Sequence, residues 1–129
     1  MTSVLRLEEL YMPEKHFNFL NAYLDSLADI AAIDRIILFG SCASGKAGKN
    51  SDIDLVIIGD TISYQDELNI YSRYVPDLGF DNYIATDVLV CTHDNYNSHR
   101  DQVGYVQRHA ELLGVDLTAI LNSKRGVLA

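Results

Sequence analysis

Positive charge is scarce in this sequence. Its 129 residues carry 10 Lys and Arg against 18 Asp and Glu, a formal net charge of −8. That balance argues against a broad footprint on duplex nucleic acid or tRNA, where binding is driven by many basic contacts to phosphates. Polymeric nucleic acid is therefore not an expected partner. Cysteine is also scarce, and Cys42 and Cys91 are read as reduced thiols, with Cys42 a small buried residue. Long apolar runs are missing: IILF and LVII are cut within a few residues by Gly or Asp, too short to span a bilayer. The N-terminus, with Arg6, Glu8 and Glu9 early, lacks the basic-then-apolar layout of a signal peptide. The expected location is the cytoplasm, and no repeat, low-complexity segment or linker divides the chain.

What is present is the composition of a soluble globular protein, 48% hydrophobic and 22% charged, at a length that fits one domain over 1–129. The pattern alternates helix and strand. Phe17, Leu20, Leu24, Leu27 and Ala31 recur at helical spacing, predicting a helix over 16–33 with Pro13 near its start. Arg35 to Phe39 reads as a buried strand ending at Gly40. A Ser-, Gly- and Lys-rich loop then runs to Ser51, with one helical turn opening at Ser41.

Ile53 to Ile58 is a second strand, and Ser63 is placed to cap a helix over 64–74. Asp87 to Thr92 is a third strand, and His93 and Asp94 after it are read as loop. Val103, Val106, Ala110 and Leu113 have helical spacing, with Gly114 as the C-terminal cap. A last helix is expected over 116–124. His16, His99 and His109 show no metal-ligand spacing, and most tyrosines read as packing residues.

Asp52 and Asp54 interrupt this apolar pattern. Burying a carboxylate among Ile, Leu and Val costs on the order of several kcal/mol unless it is neutralised or meets a cation. Residues two apart on a strand share a face, so Asp52 and Asp54 project together while Ile53 and Leu55 enter the core. Two such neighbours repel unless a cation lies between them. Magnesium suits them, since it takes one or two carboxylates plus waters and phosphate oxygens. Asp87 can supply a third ligand if its strand lies adjacent. Gly40 and Ser41 end a strand and open a helical turn, which lets backbone N–H groups and a hydroxyl approach a phosphate, with Lys46 or Lys49 adding positive charge. A phosphate cradle beside a carboxylate cluster is the equipment of metal-assisted phosphoryl or nucleotidyl transfer.

Gly40-Ser41, ten intervening residues, Asp52-Ile53-Asp54 and a later strand aspartate at Asp87 closely resemble the minimal nucleotidyltransferase family of the DNA polymerase beta-like superfamily. The resemblance implies an α/β (α+β) nucleotidyltransferase fold, a small mixed sheet flanked by helices. It implies that Asp52 and Asp54 hold two magnesium ions, and that Asp87 completes the metal site and helps activate the attacking hydroxyl. Gly40 and Ser41 would grip the triphosphate of ATP, and attack on its α-phosphate would release pyrophosphate. Relatives often carry arginine just after Gly-Ser, where this chain has Cys42 and Ser44, so phosphate charge falls to the metals and Lys46 or Lys49. Small members similar to this chain often belong to two-gene modules whose partner is a HEPN-type toxin, and the transferase adenylylates a hydroxyl of that toxin. Two other readings are a binding module that neutralises its partner by occlusion, and a small-molecule nucleotidyltransferase whose acceptor pocket is completed by oligomerisation.

Overall fold

A computed structural model describes residues 1–126; the last three positions of the expected 1–129 domain lie outside the described residues. The elements in chain order are β1 (Thr2–Ser3), α1 (Glu14–Leu27), β2 (Arg35–Phe39), α2 (Ser41–Ser44), β3 (Ile53–Ile58), α3 (Tyr64–Ser72), β4 (Thr86–Cys91), α4 (His93–His99), α5 (Val106–Leu113), β5 (Val115–Asp116) and α6 (Thr118–Lys124), with short 3-10 turns at Leu7–Glu9 and Phe80–Asn82. The strands form one mixed sheet in the order β1-β5-β2-β3-β4. β2 and β3 are antiparallel, and β3 and β4 are parallel, joined by a crossover through α3. The expected α/β class, a small mixed sheet flanked by helices, is what the chain forms. No helix among the described residues is long and apolar enough to cross a membrane.

Alternation along the strands divides the apolar residues between two faces. Ile36, Leu38, Ile53, Leu55 and Ile57 enter the larger core with Phe19, Leu20, Leu24 and Leu27 of α1 and Leu117 and Leu121 near and in α6. Ile37, Val56, Ile58 and Cys91 face the other way, onto Tyr96 of α4 and Ala110 of α5. The Tyr96 hydroxyl donates to Glu111 Oε2 at 2.7 Å, which joins α4 to α5, and Arg35 lies over the Tyr96 ring.

Several elements differ from the periodicity reading for reasons of tertiary origin. α1 stops at Leu27 because Arg125, near the C-terminus, donates to the carbonyl oxygens of Ala28 and Ile30 at 3.2 and 2.5 Å and caps its end. Ala31 is therefore exposed outside the helix, while Phe19 and Tyr23 take core positions and Phe17 is only half-buried. α3 has the expected cap, Ser63 Oγ accepting from Asp66 N at 3.1 Å, but ends at Ser72, before the left-handed Arg73. α4 replaces the expected loop at His93 and Asp94; Thr92 caps it by accepting from Asn95 N at 3.1 Å. Val103 lies outside α5 and is exposed. Asp116 belongs to β5, where its Oδ1 accepts from Thr118 N at 2.8 Å and starts α6 two residues later than expected. Gly114 is the C-cap of α5 as expected, its N–H donating to the Ala110 carbonyl at 2.8 Å, but crowding and not a left-handed conformation requires glycine there. Its φ is −78°, and a Cβ there would strike the carbonyl oxygen of Ala110 and a methyl of Ile37.

Candidate active site

Strand register places the acidic residues. Asp54 pairs with Phe39 across the antiparallel β2–β3 ladder and with Asp87 across the parallel β3–β4 ladder. Residues directly opposed in a sheet share a face, so Phe39, Asp54 and Asp87 form one rung on the α4/α5 side. The next rung, Leu38, Leu55 and Val88, turns into the larger core. Adjacency of Asp87, which strand order alone could decide, is thus established.

Asp54 and Asp87 are direct neighbours across the β3–β4 ladder, close enough for each charge to act on the other. Burial holds the Asp54 carboxyl above the usual carboxylate range, and the negative charges of Asp87 and then Asp52 push it further; His109 pulls it partly back. Asp52 stands exposed just before β3 and acts on Asp54 through charge. No three His, Cys, Asp or Glu side chains form a ready-made ion cage among the described residues. The direct pair is Asp54 and Asp87, with Asp52 at its margin.

Gly40 closes the site from above. It has φ +74°, a conformation costly for any residue with a Cβ, and a Cβ there would collide with Asp54 Oδ2. Glycine is what lets the backbone approach the carboxylate, leaving a cradle that a side chain would fill. The carbonyl of Gly40 accepts from the N–H groups of Ala43 and Ser44, both at 3.1 Å, which starts the single turn of α2. Ser41 is half-buried, and no described residue hydrogen-bonds its hydroxyl. Hard oxygen donors around such a cradle are the set that suits a divalent cation carrying phosphate. Lys46 and Lys49 are exposed, and neither forms an ion pair among the described residues.

The approach to Asp52 is held by residues that spacing did not single out. His16 of α1 is buried, and its Nε2–H donates to the Ser51 carbonyl at 2.7 Å, while Nδ1 is buried without a partner among the described residues. Ser51 Oγ accepts from Gly48 N at 2.9 Å, and the Cys42 thiol donates to the Asp52 carbonyl at 3.5 Å. Burial first, and the charges of Asp54 and Asp52 second, push the Cys42 thiol up to about 11. Cys42 therefore acts as a small buried residue, and both cysteines are free thiols, as expected.

His109 is the other residue missed, since only the fold brings α5 over β2; its imidazole lies 5.8 Å from the Phe39 ring, centroid to centroid. His93 does not border the site. It follows the opposite end of β4 from Asp87 and pairs with Asp34 at 2.9 Å.

A family model described as a nucleotidyltransferase domain matches residues 20–113, more than half of the chain. The matched span runs from α1 to the end of α5 and contains Gly40, Ser41, Asp52, Asp54 and Asp87. A search of curated proteins finds no match.

Proposed function

Because the chain belongs to the nucleotidyltransferase domain family, whose fold its mixed sheet and flanking helices fit, we propose that it transfers AMP from ATP to a hydroxyl group of a partner protein. The observation that carries this reading is the rung on which Asp54 and Asp87 meet beneath Gly40. Without a cation such a pair is a standing repulsive cost, and Asp54 resists ionisation in its half-buried position. Asp52, Asp54 and Asp87 would hold magnesium; once bound, it would neutralise phosphate charge and polarise the α-phosphate.

The protein's own groups do the rest. Gly40 brings backbone close to the triphosphate, and the free Ser41 hydroxyl donates to a phosphate oxygen. Lys46 screens the remaining charge from an exposed position. Asp87 accepts the proton of the attacking hydroxyl as it approaches in line with the departing pyrophosphate. The exposure of Asp87 on the edge strand β4 supports a macromolecular acceptor, because that side of the rung is open to solvent. The net charge of −8 favours a protein over an RNA, and the resemblance to minimal nucleotidyltransferases favours a HEPN-type toxin, with this chain as its antitoxin.

The test combines purified protein, α-labelled ATP, magnesium and a HEPN-type protein encoded beside it, with an Asp52→Ala/Asp54→Ala control. Label on the partner only with intact aspartates supports the proposal. No label with any nucleotide, together with tight partner binding retained by the control, sinks it and leaves an antitoxin that works by contact.

A further inference from the structure

An open groove of about 370 Å³ lies between Phe39 and α5, within the size range of small-molecule sites. Phe39 lies on the β2 side, and Tyr105, Val106, Arg108, His109, Leu112 and Leu113 line the α5 side. Its aliphatic part is unburied: Leu112 is 57% and Leu113 64% exposed, although both sit beside a packed core. The Phe39 and His109 rings are tilted by 56° to one another, and no described residue hydrogen-bonds the His109 ring or the Tyr105 hydroxyl. The groove therefore presents one aromatic surface, aliphatic walls and unspent polar groups at its edge.

Its position assigns the occupant. Phe39 and Asp87 flank Asp54 on opposite sides of one rung, and Gly40, the cradle residue, directly follows Phe39. A triphosphate drawn to Gly40 and Ser41 therefore lies over β2 and β3, with the acceptor side at β4. The nucleoside end of that molecule has the Phe39 side to go to. Resting on the transfer reading above, we infer that this groove is the base subsite of the nucleotide donor. It takes the planar heterocycle against Phe39, with His109 and Tyr105 offering hydrogen bonds to its edge. Stacking on an aromatic side chain is tolerant of base identity, so selectivity falls to those two edge groups.

The experiment titrates Mg-ATP and Mg-tripolyphosphate into the full chain and into Phe39→Ala and Tyr105→Ala variants. The exposed Tyr105 position keeps the test alive should Phe39→Ala fail to fold. ATP affinity is expected to fall about tenfold in Phe39→Ala and severalfold in Tyr105→Ala, the scale of one lost base–aromatic stack, while tripolyphosphate affinity is unchanged. Equal weakening of both probes, or of neither, overturns the assignment. So does unchanged ATP affinity with slowed transfer to the partner protein, which gives the groove to the acceptor. Asp54→Asn separates the two levels: if it weakens both probes, the transfer site stands whatever Phe39 shows, and if it weakens neither, the transfer site itself falls.

Discussion

The two faces of the sheet are written by alternate residues of the same strands, and they do different things. The face bearing Ile36, Leu38, Ile53, Leu55 and Ile57 is closed by α1 and α6 into one continuous apolar core. The opposite face buries Ile37, Val56 and Ile58 under α4 and α5, then gives way at its end to Phe39, Asp54 and Asp87. A shift of one residue exchanges an aliphatic contact for an uncompensated carboxylate. Stability is concentrated where the chemistry is not, which lets the second face carry repulsion.

Substitutions that separate the faces sharpen this contrast. Asp54→Asn should lower magnesium-dependent nucleotidyl transfer by about a thousandfold or more, the scale of losing a group aimed at transition-state charge, with the far-UV spectrum unchanged. Leu24→Ala does the reverse. Leu24 is fully buried in the larger core, so urea denaturation should show a loss of about 2–5 kcal/mol, with transfer per folded molecule unaltered.

Gly40→Ala breaks the separation, because it strains a left-handed backbone and pushes on Asp54 at once. It should cost about 1–2 kcal/mol in denaturation and also lower activity. His16→Ala removes the tether to Ser51 and should cost roughly 1–2 kcal/mol. His16→Gln, which can still donate to the Ser51 carbonyl, should recover part of that stability.

The smallest effect is in pH dependence. The folded state raises the proton affinity of Asp54, so its contribution to stability is complete below the unfolded carboxylate value and is lost as pH rises through the folded one. In chelator, the melting temperature of wild type relative to Asp54→Asn should fall as pH climbs from below about 4 toward neutrality. A constant difference across that range would remove Asp54 as the source.

Much of the site was legible in the residues. β2 and β3 match the expected strands to the residue, and the turn at Ser41 opens where Gly40 ends the strand. Gly40, Ser41, Asp52 and Asp54 could be nominated because their types and spacing are chemically unusual in an apolar stretch. Asp87 could be nominated but not placed, since its contact with Asp54 depends on β4 pairing parallel to β3. What stayed hidden depends on partners distant in sequence. Arg125 ends α1, Ile37 and the Ala110 carbonyl require Gly114, and α4 buries one main side chain, Tyr96, too few for a helical period to register. β1 and β5 are two residues long and exist through pairing alone. His16 and His109 lack ligand spacing because their roles are contacts to Ser51 and Phe39.

The most direct test of a repulsive carboxylate pair built for a cation is the melting temperature of wild type and Asp54→Asn, each with chelator and with magnesium chloride. Wild type should rise with magnesium by mass action, and Asp54→Asn should melt at or above wild type in chelator and respond little to the ion. A variant that melts lower in chelator, with the same magnesium response as wild type, would contradict the division of the sheet into a stabilising face and a metal-binding one.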